Sequence, residues 1–296
     1  MKRLQEYIYV WLVLLIFGID VLSAQVFIHL DPTRAKREVP RPEFIDTFDV
    51  AKLEFLYLQT DVDTVLGRSY NDYYLLEVGD AYSKYEGYHC FRIDSACYAL
   101  NWKLTYAQLD TFTNKFLNSV DAAQSPEFLH DLRKHTFKVS ETFLLDSYVY
   151  EDSTVQFDWM LQPDTTTVCG YVCRKAEATF RGIRWTAWYT PDIPLSLGPW
   201  KFNGLPGLVL WAYDDKGTHD VRLTAARKSS GTPITFQTKG RFRMKRERVN
   251  KQMRKFKIEM QPYDSATGLS PYEIDKDGNR KPLPVVRRFY VPYELE

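Results

Sequence analysis

The sequence predicts a mainly β (α+β) fold: a curved antiparallel sheet of half-barrel form, with a helical insert and a late basic helix. Three observations carry that expectation. Apolar residues alternate with period two over most of residues 141–227. Short turn sequences, Arg181-Gly182 and Asp214-Asp215-Lys216-Gly217, separate the alternating runs. The period changes to threes and fours in just two places, as amphipathic helices require.

The elements follow in order. Leu53–Thr60 is apolar on both alternating faces, as in a strand covered on both sides, and Asp72–Val78 is a second strand. Trp102, Tyr106, Leu109, Phe112, Phe116 and Val120 then line one face of a helix. Ser125-Pro126-Glu127 reads as a second helix start, with Phe128, Leu129 and Leu132 continuing the apolar face, so the insert is expected near residues 95–135. The run to Tyr150 is a strand, and Glu151-Asp152-Ser153 a turn. Val155, Phe157, Trp159 and Leu161 make a further strand, which Pro163-Asp164 breaks. Two hairpins follow, around Arg181-Gly182 and around residues 214–217. Val249, Met253, Phe256 and Met260 then step along a helix over residues 246–260 with a basic outer face.

Composition bounds the function. The 296 residues carry 39 Lys+Arg against 38 Asp+Glu, a charge of +1, and 45% hydrophobic residues. That balance excludes a disordered chain, a collagen-like fibre and a polytopic membrane protein, and it removes net charge as a pointer to nucleic acid. Lys2 and Arg3 precede the apolar run Tyr7–Gly18, and Ser23-Ala24 precede Gln25. The run falls short of the about 20 residues of a bilayer span, so residues 1–24 are expected to be a cleaved secretory signal, with an uncleaved anchor as the alternative that Leu22 leaves open. Residues 25–43 are an extended Pro- and Arg-bearing lead, and 44–296 a single domain. The expected location is the periplasm or outer membrane, or outside the cell. In such an oxidising compartment Cys90, Cys97, Cys169 and Cys173 allow three disulfide pairings. Residues 169 and 173 on one strand would lie about 13 Å apart, which leaves Cys90–Cys97 as the candidate bridge.

Between the hairpins lies WYTPDIPLSLGPWKFNGLPGLVL, residues 188–210, whose glycines and prolines suit a structured connection rather than a strand or helix. This segment resembles the signature of the GLPGLI family of exported bacterial proteins, the motif standing here as Gly204 to Val209. Gly79–Ser95, the stretch from Thr167 to Thr190 and the closing YELE are similar to further parts of that family. The resemblance implies an exported protein of unresolved function and supplies no catalytic residues.

Two surfaces are candidates for binding. Trp188, Tyr189, Trp200, Phe202, Leu205, Pro206 and Trp211 offer an aromatic lining for an apolar ligand, or else core beneath a loop. Arg246, Arg248, Lys251, Arg254 and Lys255 form a basic helix face suited to anionic headgroups, or else a solvated face carrying a Glu247–Lys251 pair. Asp275, Asp277 and Asn279 alternate like calcium ligands, but Gly278 comes two places early. His130 and His135 do not share a helix face, so no metal or other cofactor is expected, and no nucleophile motif stands out. The expected role is a non-catalytic binding or accessory protein of the envelope, whose partner is an apolar ligand or an outer-membrane protein and not nucleic acid. A hydrolase acting on envelope glycan, lipid or peptide, or an accessory partner of an outer-membrane receptor, are the alternatives.

Overall fold

A computed structural model of the chain describes residues 36–39, 45–109, 111, 126–143, 146–153, 155–259, 272–274, 279–282 and 289–295. The expected signal segment, most of the lead, Phe112, Phe116 and Val120 of the expected insert, and Asp275 and Asp277 lie outside these residues.

The strands are β1 (Ile45–Val50), β2 (Leu53–Asp63), β3 (Arg68–Val78), β4 (Tyr82–Gly87), β5 (Glu127–Asp131), β6 (Thr136–Phe143), β7 (Asp146–Asp152), β8 (Met160–Val168), β9 (Tyr171–Phe180), β10 (Ile183–Thr190), β11 (Leu208–Asp214), β12 (His219–Lys228), β13 (Pro233–Gln237), β14 (Phe242–Arg243), β15 (Tyr272–Ile274) and β16 (Arg280–Pro282). Among the described residues the bounded helices are α1 (Tyr88–Ala99) and α2 (Arg246–Lys257), and residues 106–109, on the expected insert helix, are helical as well. Twelve strands form one open sheet in the order β14-β7-β6-β5-β4-β3-β2-β12-β11-β10-β9-β8. Every pairing in it is antiparallel except the short β14–β7 contact. The sheet is thus two local meanders, β2–β7 and β8–β12, joined where β2 pairs with β12. A separate two-stranded ribbon, β1–β13, packs Ala51, Ile234 and Phe236 against Leu129 and Val149.

The mainly β, open antiparallel reading agrees with this architecture. Its curvature shows in one contact: Asp152 closes β7, second in sheet order, yet it bonds Arg181 at the end of β9, eleventh in order, at 2.7 Å. The inner, concave face carries the main core, with Tyr57, Tyr85, Val139, Trp185, Ala187, Ala212 and Val221 all at most 2% exposed.

Several elements differ from the sequence reading. Glu127–Asp131 is a strand, not a helix: Phe128 and Leu129 are both buried, but on opposite faces, one in the main core and one under the β1–β13 ribbon. A two-sided strand and a buried helix turn look alike over five residues. A helix absent from the sequence reading, α1, caps the outer side of β3 and β4, where Lys84 and Glu86 form a buried ion pair at 2.8 Å. Residues 155–159 are not a strand; they cross from β7 to β8 with Val155 and Phe157 buried in the core. The strand begins at Met160 and runs through Pro163, which an edge strand with a bulge between Leu161 and Thr165 tolerates.

The disulfide expectation is corrected. All four cysteines are free thiols. Cys90 and Cys97 are seven residues apart on α1, about 10 Å along the helix axis and beyond bridging range. Cys169 and Gly170, both at positive φ, make the two-residue β8–β9 turn. Cys169 donates to the Leu223 carbonyl at 3.0 Å.

The glycine-proline motif works by close approach. An added Cβ at Gly207 would lie 2.1 Å from the Thr190 carbonyl oxygen, while Gly204 sits at φ +88°. Gly207→Ala is therefore expected to cost at least about 2 kcal/mol and Gly204→Ala about 1 kcal/mol, read from urea unfolding. His130 gives a second prediction. It is 4% exposed and stacks on Phe137 at 4.0 Å, and burial together with nearby His135 lowers its pKa to about 4. A depressed histidine pKa supplies stability that is full above 6.5 and lost as pH falls toward 4. Between pH 7 and pH 4 the wild type should lose on the order of 3 kcal/mol relative to His130→Phe, measured by thermal melts at each pH.

Candidate functional site

The concave face holds a cavity of about 170 Å³, open on one side. Its walls come from four sources: Tyr74, Tyr85, Phe128 and Tyr150 of the sheet, Trp200 and Lys201 of the loop before β11, Met253 of α2, and Tyr290 and Tyr293 of the 289–295 segment. The space has about the volume of one ring-sized group, and charged as well as aromatic side chains line it.

A buried ionic cluster borders it. Arg181 lies in the β9–β10 turn, held at φ +45° beside Gly182 at φ +80°, and so projects from the end of the sheet. Its guanidinium donates to both oxygens of Asp152 and to Glu294 Oε2, each at 2.7 Å. Lys201, 1% exposed, donates to Asp152 Oδ2 at 2.9 Å and to Glu294 Oε1. Arg246, at the start of α2, donates to Glu294 Oε2 at 2.7 Å. The Lys201 ammonium also lies 5.6–5.9 Å from the ring centres of Trp200, Tyr150 and Phe128. Burial raises the Asp152 pKa, but the Arg181 hydrogen bonds and the Lys201 charge outweigh it, so the carboxyl stays well below its usual range. Glu141 behaves oppositely: burial pushes it up, against the hydrogen bond it accepts from Tyr150 at 2.9 Å.

A second polar group flanks the cavity. His219 Nδ1 meets Asp61 Oδ1 at 2.7 Å and Nε2 meets the Pro292 carbonyl at 3.1 Å, which engages both ring nitrogens. Asp61 also accepts from the Tyr293 hydroxyl at 3.1 Å and from Gln59 at 2.8 Å.

The aromatic residues predicted to form one site are divided by the sheet. Trp200 and Phe202 pack on the inner face against Trp185, at 5.6 and 5.0 Å, and only Trp200 reaches the cavity. Trp188 and Trp211 are register partners of opposite parity to Trp185 and stack on the outer face at 6.0 Å. There Trp211 donates to Asp220 and carries Arg222 over its ring at 4.8 Å. Tyr189 and Leu205 are buried core, and Pro206 is exposed. Of the basic residues, Arg248, Lys251, Arg254 and Lys255 are exposed, whereas Arg246 turns inward to Glu294. Glu247 pairs with Arg246 at 3.1 Å.

Sequence reading missed Lys201, Asp152, Arg181 and Glu294, which lie far apart in the chain. The available signal was a lysine within an apolar loop and an Arg-Gly turn. It also missed an adjacent pair, His89-Cys90, with Sγ 3.1 Å from Nε2 and Asp72 3.6 Å from Nδ1. This has the order of a nucleophile triad but not its electrostatics. Burial and the carboxylates of Glu86, Glu127 and Asp94 push the Cys90 thiol far up, away from the reactive thiolate. Among the described residues no group of three or more His, Cys, Asp or Glu is placed to hold a metal.

Removing one partner from a buried ion cluster leaves an uncompensated charge. Asp152→Asn should therefore cost on the order of 3 kcal/mol at pH 7. Because the Asp152 pKa is depressed, that contribution is present above the ordinary carboxylate range and lost below it. The gap between wild type and variant should narrow as pH falls below about 4, measured by denaturant unfolding at stepped pH.

No curated protein matches the chain. Two solved structures of PNGF-II, in the P21 and C2 space groups, superpose with TM-scores of 0.45 and 0.42 at 13% and 14% identity. Each alignment covers 68% of this chain and 32% of the other, so the chain spans about a third of their length. The family model described as "Protein of unknown function (Porph_ging)" matches residues 179–211, the stretch from the end of β9 through the tryptophan loop into β11.

Proposed function

We propose that this chain is an exported, non-catalytic binding protein of the bacterial envelope, and that its ligand site is the concave-face cavity beside Trp200 rather than the outer tryptophan pair. The observation that carries the reading is an aromatic-walled cavity whose bordering charges, Lys201, Arg181, Asp152 and Glu294, are paired with one another. Charges locked in this way order a site and shape it, but they are poorly placed to trade protons with a substrate. Export rests on the basic, then apolar, then small-residue order of residues 2–25, and the GLPGLI-type motif at 204–209 supports it.

One observation favours a hydrolase as the second reading. Glu141 lies in the cavity wall with its carboxyl pushed up by burial, while Glu294 in the same wall is surrounded by cations. Two carboxyl groups in unlike environments are the raw material of general acid and base catalysis.

Native mass spectrometry of protein exported from a bacterial host separates these readings. The binding reading expects a non-covalent mass that Trp211→Ala retains. Asn250→Trp, which fills the cavity from α2, should lose that mass while costing about 1–3 kcal/mol of stability. A clean apo mass for the wild type, with turnover of an envelope glycan or peptide that Glu141→Gln abolishes, would replace it with the hydrolase.

A further inference from the structure

We infer that the groove holding residues 291–295 is a recognition site for an extended peptide carrying an aromatic residue directly before a carboxylate, and that Tyr293-Glu294 occupies it as a ligand in cis. The inference rests on the concave face being the binding face, and it names the class of ligand.

Residues 289–295 lie in no strand or helix. They are held as a bound peptide is held, by side chains in pockets and by a few main-chain bonds. Leu295 donates its N–H to the Arg181 carbonyl at 3.0 Å, and the Pro292 carbonyl meets His219. The Tyr293 ring lies among Trp185 at 5.6 Å, Trp200 at 5.2 Å and His219 at 3.8 Å, with its hydroxyl on Asp61. The next residue, Glu294, receives Arg181, Lys201 and Arg246 from three separate elements: the β9–β10 turn, the tryptophan loop and α2. An aromatic slot beside a three-cation carboxylate clamp is a two-point code: Arg181 and Arg246 each give one N–H to Oε2 and Lys201 takes Oε1, so both carboxylate oxygens are engaged.

The groove is also underfilled. The cavity of about 170 Å³ is lined on one side by residues 289–294 themselves. A peptide with the same aromatic-acid pair and a bulkier neighbour would therefore bury more surface there than the resident segment does, which gives a competitor something to gain.

The test uses a fluorescent synthetic peptide of residues 289–296, FYVPYELE, and the full-length chain. In wild type the tethered segment competes at an effective concentration in the millimolar range. In Tyr293→Ala/Glu294→Ala the site is open, so the peptide should bind at least 10-fold more tightly than to wild type by anisotropy. The same peptide with Gln in place of Glu294 should bind at least 10-fold more weakly, as should the parent peptide after Arg246→Ala is added. A folded double variant that ignores the peptide, or that binds the Gln peptide equally well, overturns the inference. If the double variant does not fold, wild-type hydrogen exchange decides. Excess peptide should speed exchange at residues 290–295, and unchanged exchange overturns the idea. Loss of peptide binding with a cavity mass still present in native spectra defeats this inference alone, whereas absence of both defeats the binding function as well.

Discussion

The carboxylate of Asp152 and the guanidinium of Arg181 meet across the open side of the sheet, and the concave face depends on that meeting. Strands β7 and β9 are far apart in the ladder, so no backbone pairing fixes the distance between them. The forked contact does, and Lys201 and Glu294 complete it. Such a cluster adds little net stability, because desolvation consumes most of the Coulombic gain. What it contributes is connection: it ties the ends of β7 and β9, the tryptophan loop and residue 294 to one another.

The tryptophan loop transmits this constraint to the core. Gly207 lets the chain pass against the Thr190 carbonyl, which brings Leu205 and Phe202 under the sheet and sets Lys201 at the cavity edge. Trp159 on the β7–β8 crossing donates to the Asn203 carbonyl at 2.7 Å, so the crossing and the loop hold each other. The motif is thus a structural joint, and its chemistry lies in the lysine beside it.

Much of the sheet was legible because its hairpins are local. The Arg181-Gly182 and 214–217 turns and the alternation around them name their partners within a few residues. The face assignment of the tryptophans was not legible. The end of β10 is covered on both faces, so Trp188, Tyr189 and Thr190 are all buried and the alternation that would have separated Trp188 from Trp185 is masked; the bulge opposite them falls on β11, at Leu210. The ionic cluster was not legible for a related reason: Asp152, Arg181, Lys201 and Glu294 converge only through curvature, which no local pattern encodes. A strand such as Glu127–Asp131, apolar on both faces after a proline, carries a helix-like pattern until its cross-strand partners are known.

The join between β2 and β12 has a consequence for assembly. Within each meander most partners are near neighbours in sequence, β4–β5 being the exception, so most of these pairings close short loops. The seam pairs His219 with Asp61 and Lys228 with Leu53, separations of more than 150 residues, and the Glu294 contacts come later still. Loop-closure entropy makes such long-range pairing the slow step of folding. The first meander therefore waits for residues 219–228 before the seam can close, and the cavity forms only when residues 289–294 have joined its wall.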